Sequence, residues 1–351
     1  MVKISVIYYV FNNQIFLKDS LDSILTQTFE DIEIRCIDNG STDDSLNILS
    51  EYKEKDNRLI INSINHIDKT EAINNELKNV NGKYVYITTP GCKLNFDALE
   101  LLYEKAENNS SELTVSDMGY LNEINDSYYE KKCFLDTYDE VVDYKKIPNL
   151  IDVDTSLENK LFLLSFIKKN NLKLEYGNEK SFVYEAIFKA KNISYNTFVL
   201  FVYDEYYASL ANKDDVSQLY IVEYSNKLLE FFDKYGVLDD YQNRLYDHKM
   251  YITLNVLNKI REEYKETFYN KVRQDLKEIL LNDELCEDFL NNISGYFRKV
   301  FESIIISESY YEYELLKKTY YEMNDYYNLL IDRNYFKQAQ NKKIKEKPME
   351  W

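Results

Sequence analysis

The sequence predicts an α/β fold whose central sheet is mostly parallel, followed by an α-helical domain. Three observations predict it. Short β-branched and aromatic runs alternate with amphipathic stretches through the first hundred residues; turn formers separate them; and from about residue 212 only helix-length amphipathic segments remain.

Ile4 to Phe11 is a β-branched and aromatic run of buried-strand length, ended by the turn formers Asn12-Asn13. Leu17, Leu21, Ile24 and Leu25 then fall on one face of a helix. Ile32 to Ile37 reads as a second strand, closed by Asp38-Asn39-Gly40-Ser41-Thr42-Asp43-Asp44, which mixes a flexible turn with helix-capping residues. Leu46, Ile48, Leu49 and Tyr52 mark the next helix and Leu59-Ile60-Ile61 a third strand. Ile73, Leu77 and Val80 mark a third helix, and Tyr84 to Ile87 a fourth strand. This rhythm implies parallel βαβ units, which gather ligands at the carboxyl ends of their strands.

The chain has 351 residues, a length that predicts about two domains. The expected division is 1–211, with halves 1–100 and 101–211, and 212–351. Only 7 Gly and 3 Pro occur, far below the usual ~7% and ~5%, so the chain is expected to be regular and poor in flexible linkers. Its 34 Tyr are expected to pack with rings inside and hydroxyls wet. The polar break Asn212-Lys213-Asp214-Asp215 precedes the helical region, which is interrupted near Gly236, Asn282-Asp283 and Gly295. There Leu316, Tyr320, Met323, Tyr327 and Leu330 form a stripe only two heptads long, suited better to internal packing than to a coiled-coil partner.

A formal net charge of −18, with no dense Lys/Arg run among aromatics, argues against nucleic-acid binding. Cys36, Cys92, Cys133 and Cys286 lack paired spacing and only His66 and His248 occur, so no zinc constellation is present in the sequence. Reduced thiols and a cytoplasmic location are expected. No run approaches the roughly 18 apolar residues of a membrane span. Lys337, Lys342, Lys343, Lys345 and Lys347 make a basic tail, read as a solvated helix end or as peripheral contact with an anionic inner membrane face. His248 beside Asp247 reads as a structural or surface histidine.

The segments Ile4-Ser5-Val6-Ile7, Val10-Phe11-Asn12, Leu21 to Thr28 and Ile37 to Asp43 together resemble the opening of a bacterial family 2 glycosyltransferase of the GT-A (Rossmann-like) fold. The likeness continues through Asn74, Gly82-Lys83-Tyr84 and Asp97 to Glu100, then Asn159-Lys160-Leu161-Phe162, Ser165-Phe166-Ile167 and Lys191 to Tyr195, covering about 210 residues. It implies a nucleotide-sugar donor, most often a UDP-sugar, and inverting transfer to a bacterial glycan or surface-polymer hydroxyl. It also implies an acid for the uracil imide, a D-x-D acid pair for a divalent metal, and a carboxylate base.

By this resemblance Asp38 matches the uracil-binding acid, Val10, Phe11 and Asn12 line the base, and Asn74 belongs to the nucleotide site. Asp38 suits a capping turn equally well. The D-x-D position falls on Thr89-Pro90-Gly91, with Cys92 where a further acid is usual. Mn or Mg is therefore expected to lack its usual ligands, since hard cations want carboxylate oxygens. The base position falls on Ser181-Phe182, with Glu179 and Glu185 as flanking candidates. Ile73 and Tyr203-Asp204 replace a family Arg and Tyr-Arg. Two readings follow: a metal-independent glycosyltransferase using Lys69, Lys83, Lys93 or a partner chain as cation, or an inactive pseudo-glycosyltransferase that binds or scaffolds an active partner. A homodimer is a further expectation.

Overall fold

The computed structural model describes residues 1–122, 127–134, 141–147, 150–175, 179–204 and 218–322. The expected break at Asn212 to Asp215, the stripe residues Met323, Tyr327 and Leu330, and the lysines of the basic tail lie outside them. The chain divides into two compact units, Met1–Asp214 and Asp215–Trp351.

The first unit runs β1 (Ile4–Val10), α1 (Gln14–Leu25), β2 (Ile32–Asp38), α2 (Ser45–Lys55), β3 (Leu59–Ser63), α3 (Lys69–Glu76), β4 (Tyr84–Thr88), β5 (Cys92–Leu94) and α4 (Ala98–Asn108). It continues with β6 (Leu113–Asn122), β7 (Ser127–Lys131), β8 (Val141–Val142), β9 (Lys160–Leu163), α5 (Leu164–Asn170), α6 (Glu179–Lys189) and β10 (Ile193–Asp204). Every strand and helix read from the first ninety residues is present, with ends shifted by a few residues at most.

The ten strands form one sheet ordered β3-β2-β1-β4-β9-β6-β10-β5, with β7 beside β6 and β8 beside β10. β1 to β4 are parallel; β9 runs against both β4 and β6, and β10 is parallel to β6. Six strands therefore point the same way, and their carboxyl ends share one edge. All seven residues of β1 are buried, as a central strand covered on both faces requires. Leu17, Leu21 and Ile24 of α1 join the same core, which is the apolar stripe expected of that helix.

At the opposite edge, Gly82 lets the turn before β4 press against β1. A β-carbon there would sit 2.5 Å from the Ser5 nitrogen, while the Gly82 N–H donates to Ser5 Oγ at 2.8 Å. Glu33 holds the same corner, accepting from Ser5 Oγ and from the Asn81 N–H.

The second unit is helical: α7 (Ile221–Lys234), α8 (Leu238–Lys259), α9 (Glu262–Leu281), α10 (Asp283–Asn292), α11 (Gly295–Ile306) and α12 (Tyr310–Glu322). The anticipated interruptions are helix ends. Gly236, at φ +68°, closes α7, Asn282 caps α10 through its side chain, and Gly295 opens α11. Leu316 and Tyr320 of the apolar stripe lie on α12. Asp247 accepts the Ser294 N–H at 2.7 Å, a structural use of the acid beside His248. Among the described residues no helix is long and apolar enough to cross a membrane.

Many described tyrosines are half-buried as expected, among them Tyr52, Tyr103, Tyr120 and Tyr264, but others depart from it. Tyr84, Tyr184, Tyr195 and Tyr269 are buried whole, hydroxyls included. Their hydroxyls donate to Glu107, to the Ile151 carbonyl, to Asp117 and to the Ile304 carbonyl. A buried hydroxyl without a partner costs about 1–3 kcal/mol, so internal acceptors replace the water that half-buried rings would have used.

Candidate active site

The expected ligand edge is built from loops that hold one another. After β1 the chain reverses at Asn12, at φ +53°, a conformation Asn tolerates. Asn12 Oδ1 accepts the Thr42 N–H at 2.7 Å, and the Asn12 backbone N–H donates to Ser41 Oγ at 3.1 Å. The loops after β1 and β2 are thereby tied together. Asp38, the last residue of β2, is buried; Oδ2 accepts from Ser63 Oγ at 2.9 Å and Oδ1 from the Ser41 N–H at 3.3 Å. Asp38 thus does serve its own turn, and it also sits where β1, β2 and β3 end. Beside it, the Phe11 and His66 rings stack with centroids 4.4 Å apart. Gly40, at φ +75°, makes room for the His66 segment, since a β-carbon there would lie 2.9 Å from the His66 nitrogen.

Asn39 fastens the next layer. Its amide donates to Tyr9 Oη and to the Ile67 carbonyl, both at 2.8 Å, and accepts the Ile67 N–H at 3.0 Å. This fixes the entry to α3, which Asp68 caps. Lys69, the first residue of α3, reaches over the Tyr9 ring and bonds Glu179 Oε2 at 3.2 Å. Glu179 opens α6, so this ion pair joins the two halves of the unit at the site edge.

The other predicted residues distribute differently. Glu185, further along α6, pairs with Lys189 at 2.7 Å. The Asn74 amide donates to the Leu174 carbonyl at 2.7 Å and accepts the Leu174 N–H at 3.0 Å, clasping that backbone. Lys83 pairs with Glu107 and stands at the amino end of β4, away from the site edge; Lys93 pairs with Asp19 at 3.0 Å. Of the proposed cations, Lys69 is the one brought beside Tyr9 and Glu179.

At the end of β4, Thr89 and Cys92 are buried, and Gly91 turns the chain at φ +113°. Burial pushes the Cys92 thiol well above its usual range, leaving it protonated. The structure brings one acid to this point that sequence reading missed. The register pairs Tyr86 with Leu161 and Val115 with Lys160. Continued outward by three and two residues, it sets Glu158 between Thr89, just past β4, and Asp117 of β6. The Thr89 hydroxyl donates to Glu158 Oε1 at 3.4 Å. Burial raises the Glu158 carboxyl above the usual range; Lys69 opposes this, while Glu179 and Asp154 push it further up.

The turn carrying Glu158 is locked by Lys160, a fully buried lysine. Its ammonium donates to the Asp154 carbonyl at 2.7 Å, the Ser156 carbonyl at 2.6 Å and Asn159 Oδ1 at 2.7 Å. Asp154 is buried as well and pairs with Lys131 at 2.8 Å. Burial would raise its carboxyl, but Lys160 and Lys131 overcome that and hold it well below the carboxylate range. The sequence signal for Glu158 was its place directly before Asn159-Lys160-Leu161-Phe162, whose Asn and Lys build the turn. Among the described residues no group of three or more His, Cys, Asp or Glu side chains could hold a metal ion. Thr89, Gly91 and Cys92 do not fit a hard cation, which wants carboxylate oxygens.

Residues 5–165 match the model of glycosyl transferase family 2. They form a domain of that family. Over 231 residues the chain is 29% identical to a poly(ribitol-phosphate) beta-glucosyltransferase of Bacillus spizizenii, covering 63% of this chain and 34% of the relative. It is 30% identical over 210 residues to the poly(ribitol-phosphate) beta-N-acetylglucosaminyltransferase TarP of Staphylococcus aureus, covering 56% of this chain and 61% of TarP. It thus spans about a third of the first relative's length. Among solved structures, residues 1–349 of S. aureus TarS in complex with UDP-GlcNAc align with TM-score 0.67 and 17% identity, over 91% of this chain and 92% of that one. At that identity the likeness shows the shared GT-A fold.

Proposed function

We propose that this chain is an inverting glycosyltransferase that takes a sugar from a UDP-sugar and delivers it to a hydroxyl of a polyol-phosphate or related surface polymer. One observation carries the reading: Glu179 and Glu158 converge on the edge that holds Asp38, although neither lies in the strand that carries the family's acids. Asp38 accepts the uracil imide N–H, with the Phe11 ring and the Val10 to Asn12 backbone beside the base. Glu179 is the base for the acceptor hydroxyl, kept in place by Lys69. UDP binding by TarS and the polyol-phosphate substrates in the relatives' names support the donor and acceptor classes.

Transfer from UDP-glucose and UDP-N-acetylglucosamine to poly(ribitol phosphate) tests this. Glu179→Gln is expected to cut turnover at least about 100-fold, within the usual span of a lost general base. UDP affinity should not fall, since the change removes a negative charge beside Lys69, whereas Asp38→Ala weakens it and Glu185→Gln alters neither turnover nor affinity. The substituted D-x-D position favours a second reading, a binding or scaffolding subunit. Tight UDP binding with no turnover on any donor, with and without manganese, supports that reading over transfer.

A further inference from the structure

Glu158 has no counterpart among the acids expected from the sequence, and its surroundings are those of a proton carrier. It lies at the carboxyl edge between β4 and β6, touched by the Thr89 hydroxyl. The charged and titratable groups facing it are Lys69 from α3, Glu179 from α6, Asp154 from its own turn, Tyr86 from β4, Cys92 from β5 and Tyr120 from β6. The Tyr86 hydroxyl and Cys92 thiol are both pushed up by burial and stay neutral. Asp154 is occupied by Lys131 and the Ser156 N–H. Lys69 faces the carboxyls of both Glu158 and Glu179 and is hydrogen-bonded to Glu179. A diphosphate arriving here would be repelled if both carboxyls were ionised. Two nearby carboxyls held in different environments divide into an acid and a base.

We propose that Glu158 is the general acid for the departing diphosphate, working opposite Glu179. This rests on the donor reading above. In the step, the bond between the sugar anomeric carbon and the β-phosphate oxygen breaks. Its electron pair stays on that oxygen, which takes the Glu158 proton. The acceptor oxygen forms the new bond to the anomeric carbon and gives its proton to Glu179. Solvent then reprotonates Glu158 and deprotonates Glu179, so no metal or other co-reactant enters the balance. The Thr89 hydroxyl and the Lys160-locked turn hold the carboxyl in place, which makes Lys160 a positioning residue.

Equilibrium binding of UDP tests the role without turnover. As pH rises above the ordinary carboxylate range, wild-type affinity is expected to fall about tenfold more than that of Glu158→Gln, because only the wild type gains a repelling charge. Titration of the UDP phosphate itself is common to both proteins and cancels in the comparison. Glu185→Gln should follow the wild type, and circular dichroism of Glu158→Gln should match it. In transfer assays the alkaline limb of kcat should vanish in Glu158→Gln together with most of the rate. Identical pH dependence of UDP binding in wild type and Glu158→Gln overturns the proposal. So does manganese-dependent UDP affinity that Glu158→Gln abolishes, which makes Glu158 a cation ligand. A wild type that binds no UDP at any pH overturns the donor reading itself and the acid role with it.

Discussion

Replacing Lys160 by methionine removes a charge from the interior while keeping most of the side-chain volume. Three short hydrogen bonds disappear, leaving the Asp154 and Ser156 carbonyls and Asn159 Oδ1 without their donor. Each bond to a charged group contributes about 1.5–3 kcal/mol, and breaking a buried ion pair typically costs about 3–5 kcal/mol. Two features lower the figure. Asp154 keeps Lys131 at 2.8 Å, and its carboxylate stands 4.0 Å from Lys160, beyond hydrogen-bond length. A loss of about 3 kcal/mol is expected, which for a unit of some 200 residues corresponds to roughly 6–12 °C in Tm. Calorimetry of the full chain measures it, and hydrogen exchange shows whether amides of residues 154–163 lose protection first. The double variant with Asp154→Asn should lose less than the sum of the singles, because the two side chains share one network. A Lys160→Met protein within about 1 kcal/mol of wild type, or with additive losses, refutes the view that this ammonium locks the turn.

Gly82→Ala places a β-carbon 2.5 Å from the Ser5 backbone nitrogen, so β1 must move, and a loss of about 3 kcal/mol is expected by urea denaturation. Gly119→Ala has as its nearest neighbour the outer Tyr128 ring at 2.8 Å, a side chain 51% exposed that can swing aside, and should cost less than about 1 kcal/mol. The depressed carboxyl of Asp154 makes its contribution to stability full above its unfolded pKa of about 3.9 and lost as pH falls through the lower folded value. Urea midpoints measured from pH 7 to pH 3 should therefore fall less steeply at the acid end for Asp154→Asn than for wild type.

The alternation of strands and helices was legible because each buried strand is a continuous apolar run and each helix keeps an apolar stripe. Asp38 was legible for the same reason: the pattern ends the strand at Ile37, one residue short of the observed end at Asp38. Asn74 illustrates the limit, since its match to a motif says nothing of the Leu174 backbone it clasps, 100 residues away in sequence. Lys83 and Lys69 looked equivalent as cations, and only the direction of β4 separates them, putting Lys83 at the wrong end. Glu179 and Glu185 looked equivalent as flanking acids; helix position gives one to Lys69 and the other to Lys189.

The sequence by itself determined the α/β order of the first unit, the helical character of the second and the place of Asp38, because hydrophobic periodicity and turn chemistry are local. It also determined that Thr89, Gly91 and Cys92 follow β4. Which acid reaches them was decided only by tertiary structure. β9 returns antiparallel between β4 and β6, and that register carries Glu158 to Thr89, 69 positions apart in the sequence. No local pattern encodes such a meeting, because it depends on which strands pair and on a buried lysine that fixes the turn between them.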